Sequence, residues 1–133
     1  MFVKMEVRTR KQAEFINITR ELESHLGQSG IREGVCHLYV PHTTAGITIN
    51  EGADPSVVKD IIETLDALVP ESEQYHHREG NSPAHVKSTL VGQSVTVPVE
   101  GGRLALGTWQ KVFFCEFDGP RTRSVLLKIE RSS

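Results

Sequence analysis

The 133-residue chain carries 15 Lys and Arg against 17 Asp and Glu, a formal charge of -2, with 38% apolar residues. That length suits one domain, residues 1–133, which buries about two thirds of the surface its unfolded chain exposes and needs no staples. The near-balance of charge leaves no basic footprint for nucleic acid and no like-charged tail, so any anion site must be local. Cys36 and Cys115 each lie in an apolar run and read as buried reduced thiols, not as a disulfide. Charges at Lys4, Glu6, Arg8, Arg10 and Lys11 interrupt the first twenty residues, and no apolar run reaches bilayer length. The expectation is a cytoplasmic protein with no membrane partner.

In chain order, Met1 to Lys11 alternates apolar with charged residues, and Phe15 to Thr19 repeats the pattern, which predicts two strands forming a starting hairpin. Arg20 to Gln28 reads as a short helix, with Leu22 and Leu26 four apart and Gly27 and Gly30 as stop signals. Val35 to Val40 and Gly46 to Glu51 are strand-like, separated by the polar PHTTA segment. Asp54 and Pro55 open the best helix: Asp caps free amides, Pro suits the first turn, and Val57, Val58, Ile61, Ile62, Leu65, Leu68 and Val69 form one stripe. Glu71 to Ala84 is polar and punctuated by Gly80, Asn81 and Pro83, so it predicts a loop carrying a histidine block, before a short helix around His85 to Leu90. Strands at Ser94–Val99, Arg103–Leu106, Trp109–Phe117 and Ser124–Glu130, separated by glycine turns, complete a mainly antiparallel α+β domain with two or three helices. Arg131 to Ser133 reads as a frayed tail.

Three blocks hold the chemistry: PHTTAGITINE, YHHREGNSPAHVK and GTWQKVFFCEFDGPR. A catalytic divalent ion takes three side chains and leaves one position open, and imidazole is the usual donor where thiolates are absent. His42, His77 and His85 fit that count, with zinc first on ligand type and magnesium the alternative. Their bland reading is as solvated loop side chains. His76 is an ambiguous neighbour of His77, and His25 and His37 read as structural.

In the strand at Trp109–Phe117, Gln110, Val112, Phe114 and Glu116 share one face while Trp109, Lys111, Phe113, Cys115 and Phe117 share the other. A carboxylate beside Val112 and Phe114 needs a partner. A metal, a ligand or Arg121 would serve, and burial near the histidines would make Glu116 an acid–base or orienting group, although an ordinary cross-strand ion pair is equally consistent. Arg121 on the Gly119–Pro120 turn is a forked donor for phosphate, with Lys87, Thr43 and Thr44 completing the pocket.

Read together, HTTAGITINEGADPSVVKD, HREGNSPAHVKSTLVGQSVTVPV and GGRLALGTWQKVFFCEFDGPRTRSV resemble the YjbQ-type family of secondary thiamine-phosphate synthases, from about Val35 to Ile129. The resemblance implies a small α+β domain that assembles as a homotrimer. It maps family positions onto His42, His77, His85, Thr108, Trp109, Gln110, Glu116, Asp118 and Arg121. It also implies a reaction: a metal-assisted condensation of a pyrimidine pyrophosphate with a thiazole phosphate, releasing pyrophosphate. The alternatives are a non-enzymatic module binding a metal or an anionic metabolite, and a metal-dependent hydrolase of a phosphorylated metabolite. In each case the expected partner is a small phosphorylated metabolite or its ion.

Overall fold

The structure, a computed structural model, describes residues 1–71 and 74–132, so Ser72 and Glu73 in the expected loop and Ser133 in the expected tail lie outside it. Eleven elements are described: β1 (Phe2–Arg8), β2 (Glu14–Asn17), α1 (Thr19–Ser29), β3 (Gly34–Tyr39), β4 (Ala45–Glu51), α2 (Pro55–Leu68), α3 (Ser82–Val91), β5 (Ser94–Glu100), β6 (Arg103–Leu104), β7 (Gln110–Glu116) and β8 (Thr122–Arg131). All strand pairings are antiparallel. They form a five-stranded sheet in the order β1-β8-β3-β5-β6 and a three-stranded sheet in the order β2-β7-β4.

Alternation along each strand decides what meets what. Met5, Val7, Cys36, Leu38, Val97, Val99, Val125, Leu127 and Ile129 point inward from the large sheet. There they form one core with Ile47, Val112 and Phe114 of the small sheet and Leu22 and Leu26 of α1. The other face of the small sheet presents Phe113, Cys115 and Phe117, covered by Ala84 of α3 and by Val58 and Leu65 of α2. β7 is therefore buried on both faces, and both thiols are buried and free, with their pKa values raised chiefly by desolvation.

The expected starting hairpin does not form. β1 pairs with β8 and β2 with β7, and the chain between them crosses from one sheet to the other. Period-two alternation marks a strand but not its partner, and residues 9–13 lack the glycine-rich turn a tight hairpin needs. The crossover is instead tied to the β7–β8 turn, where Thr9 N–H donates to Arg121 O at 2.9 Å and Gly119 N–H to Gln12 O at 2.9 Å.

The helices follow their termini. α1 stops at Gly30, in the left-handed region at φ 70°, and Asp54 caps α2 by accepting from Ser56 N–H at 2.9 Å. α3 begins at Ser82, three residues before the expected His85, because Pro83 fills the first turn, where a missing N–H costs nothing. His85 thus sits on a helix and not on the loop. Among the described residues no helix is long and apolar enough to cross a membrane.

Candidate functional site

The HTT segment is a short connection from β3 to β4, and α3 lies against its end. Val40 N–H donates to Gln93 O at 2.7 Å, Ser88 Oγ to Ala45 O at 2.6 Å, and Gln93 Nε2 to Ser88 Oγ at 2.6 Å. Gly46 is what lets the helix come so near: a Cβ there would stand 2.7 Å from Gly92 O. These ties bring His85, one turn before Ser88, to the same hollow as His42. That hollow, about 570 Å³, is lined by Tyr39, Pro41, His42, Thr43, His85, Thr89 and the polar pair Ser88 and Gln93.

Behind it lies a buried polar cluster. Glu116, with no exposed surface, accepts from Thr9 Oγ1 at 2.7 Å and Arg123 Nε at 2.9 Å. It also accepts from Arg123 Nη2 and, at 3.1 Å each, from the N–H groups of Phe117 and Asp118. Arg123 Nη2 reaches on to Thr44 Oγ1 at 2.8 Å. Burial raises the Glu116 pKa, but the hydrogen bonds from Arg123, Thr9 and the Asp118 amide outweigh it and hold the carboxyl below its ordinary value.

This corrects the expected pairing: the guanidinium on Glu116 belongs to Arg123, not Arg121. Every lone-pair direction of Glu116 is engaged inside the fold, so its environment is that of a structural anchor. Arg121 instead donates from Nε to Asp118 O at 2.8 Å and from Nη2 to Asp118 Oδ2 at 3.0 Å. Asp118 Oδ2 also accepts from Asn81 Nδ2 at 3.0 Å, which puts Arg121 beside the start of α3 and outside the hollow. Lys87 is buried and ion-paired to Asp66, joining α3 to α2. Thr44 is buried under Arg123, and of the four expected anion-binding side chains only Thr43 faces the hollow.

The three histidines are brought together pairwise. The rings of His77 and His85 meet edge to face, with centroids 5.4 Å apart and planes crossing at 82°. Glu79 Oε1 lies 3.8 Å from His77 Nε2. His42 shares the hollow with His85, but its Nε2 already accepts the Ser124 N–H at 2.9 Å. Among the described residues no group of three His, Cys, Asp or Glu side chains is placed to hold an ion. Among the described residues the expected three-histidine set is thus not assembled: His85 meets the His77 ring and shares the hollow with His42, but the three do not form one group.

His76 lines a separate, wide concavity with Tyr75, His77 and Arg78. His37 is exposed on β3 with Nε2 3.4 Å from Glu130 Oε2, and His25 is half-buried on α1, both outside the hollow. Thr108 and Trp109 lie on the turn before β7, where Trp109 is 62% exposed, and Gln110 opens the strand; none of them lines the hollow.

Sequence reasoning set Arg123 beside Arg121 as a guanidinium on the DGPRTR turn rather than in the core, and passed over Thr9, Tyr39 and Gln93. Arg123 had a readable signal: it shares parity with Val125, Leu127 and Ile129 on β8, so it was bound to enter the core and need a carboxylate. The other three had none, since their roles depend on contacts distant in sequence.

The sequence profile described as UPF0047 protein YjbQ-like matches residues 3–132, and the chain belongs to that family. It is 53% identical over 130 residues to UPF0047 protein YugU of Bacillus subtilis, covering 97% of this chain and 98% of that one. UPF0047 protein MJ1081 of Methanocaldococcus jannaschii is 50% identical over 129 residues, covering 97% and 94%. Among solved structures, a YjbQ/UPF0047-family protein of Clostridium acetobutylicum superposes with a TM-score of 0.93 at 46% identity, covering 96% of this chain and 99% of that one. A protein of Sulfolobus solfataricus does so with 0.94 at 33%, covering 99% and 97%. These matches fix the family and the fold.

Proposed function

We propose that this YjbQ-family chain is an enzyme acting on a small phosphorylated metabolite held in the hollow between the HTT turn and α3. The reaction is the joining of a pyrimidine pyrophosphate to a thiazole phosphate with release of pyrophosphate. The reaction assignment rests on the sequence resemblance. The observation that carries the location is the meeting, in one hollow, of His42 and His85 from separate elements, with Thr43, Tyr39 and Thr89 around them.

The chemistry asks for groups that stabilise charge developing on the departing pyrophosphate and that move a proton to or from it. Hydroxyls and an imidazole N–H on a fixed frame meet the first need, because they are already oriented when charge appears. His85, reached from the hollow and anchored on α3, meets the second.

The test is turnover by tag-free protein, following pyrophosphate and thiamine phosphate together. Release that requires both substrates supports the synthase, and release from the pyrimidine pyrophosphate alone makes the protein a hydrolase. Binding without any turnover refutes the enzyme and leaves an anion-binding module. His85→Ala is expected to lower turnover about 100-fold with little change in affinity.

A further inference from the structure

The family pattern invites reading the HTT histidine as a metal ligand. The hydrogen bonding at His42 says otherwise. Ser124, near the start of β8, aims its backbone N–H at His42 Nε2 across 2.9 Å. A backbone amide only donates, so Nε2 must offer its lone pair and cannot carry the proton. Turning the ring over would set a carbon against that N–H, so the contact also fixes which way the ring faces.

A neutral imidazole has one lone pair and one N–H. With Nε2 accepting, the proton is on Nδ1, and no lone pair is left for an ion unless the Ser124 bond breaks. Nδ1 has no hydrogen-bond partner among the described residues and is not sealed from solvent, while the ring lines the hollow. The surroundings favour the uncharged ring: burial first, and then the Arg123 guanidinium, lower its pKa against the opposing pull of Glu116 and of the Ser124 backbone contact.

We propose that His42 serves this site as an uncharged N–H donor, through Nδ1, to an anionic oxygen of the ligand, and is not a metal ligand. The inference deepens the functional reading above and rests on it for the ligand class. An uncharged donor suits an oxygen that gains charge during reaction. It stabilises that charge without binding the resting anion so tightly that product release slows. The Ser124 N–H acts as the positioning group: it sets the tautomer from a strand backbone, which side-chain motion cannot undo.

The experiment is nitrogen-15 NMR of ring-labelled protein, with the His42 resonances identified by their loss in His42→Gln. The expected spectrum shows Nδ1 protonated and Nε2 bare at neutral pH, with His42 unmoved by added zinc and Nδ1 shifted by inorganic pyrophosphate. In parallel, pyrophosphate affinity should fall roughly 10- to 100-fold in His42→Gln, whose amide reaches toward Ser124. It should fall less in His42→Asn, whose shorter amide places an N–H near the Nδ1 position. A proton on Nε2, zinc coordination by His42, or a His42→Gln protein that binds pyrophosphate as wild type does would each overturn the proposal. The tautomer readout needs no substrate, so it stands or falls apart from the turnover assay. Absent turnover with the expected tautomer and pyrophosphate response would remove the reaction and leave the donor in place.

Discussion

Glu116→Gln is the most informative single perturbation of this fold, because it removes one charge and almost no volume from a site with no exposed surface. In the native protein the carboxylate accepts from Thr9, from two nitrogens of Arg123, and from the amides of Phe117 and Asp118. A glutamine keeps one oxygen and turns an NH2 toward groups that are themselves donors, so at least one of those partners is left facing a donor. Arg123, whose side chain is 6% exposed, keeps a full charge with no counter-ion.

Breaking a buried pair from one side costs about 3 to 5 kcal/mol, far above the scale of an exposed pair. Urea unfolding followed by far-ultraviolet circular dichroism, at one fixed chain concentration, should show that loss. The pH dependence supplies a second reading. The folded pKa of Glu116 lies below its unfolded value, so the unfolded state binds more protons and stability rises with pH across that interval. The contribution is fully present above the unfolded value of roughly 4.3 and is lost as pH falls through the lower folded value. The difference between wild type and Glu116→Gln should therefore shrink on acidification. A destabilisation under about 1 kcal/mol, or a difference that does not change with pH, would refute the anchor assignment.

Gly119→Ala should destabilise by about 1 to 3 kcal/mol by overpacking, since a Cβ there meets the backbone oxygen of Lys11 and lies 2.8 Å from both Glu116 Cγ and Thr9 Oγ1. A thermal midpoint equal to wild type would show that the crossover yields freely. The chain should run as three copies by light scattering at micromolar concentration. That number comes from the family resemblance; α2 buries no residue fully within one chain and leaves Leu68 68% exposed, and α3 leaves Leu90 60% exposed, so both helices offer apolar surface to a partner copy. A monomer mass at that concentration would count against assembly.

The parts of this fold that were legible in sequence are those decided locally. Asp54, Pro55 and the stripe from Val57 to Val69 marked α2 through a cap and a period that need no other part of the chain. The two faces of β7 followed from parity alone, down to Glu116 sharing a side with Phe114. The parts that were not legible depend on pairing. Nothing within residues 1–20 says that β1 belongs to β8 and β2 to β7. Pro83 could be read as a break or as a first turn, and only packing of α3 against β4 decides between them. The partner of Glu116 was sought at Arg121 by nearness in sequence, whereas strand parity at Arg123 points to the core.

That same distinction separates frame from chemistry in the site. The buried charged side chains Glu116, Arg123 and Lys87, with Thr44, are all matched with each other or with Thr9 and Asp66, and matched groups in a dry interior resist motion. Those left partly open, His42, Thr43 and His85, stand on that frame and face the hollow. The buried ion pair does not need to touch a ligand to matter for one. It holds the end of β7 against the HTT turn through Thr44, directly beside the residue whose tautomer Ser124 sets. A donor fixed in this way needs little reorganisation when charge develops on a ligand oxygen, which is what the proposed role of His42 beside His85 requires.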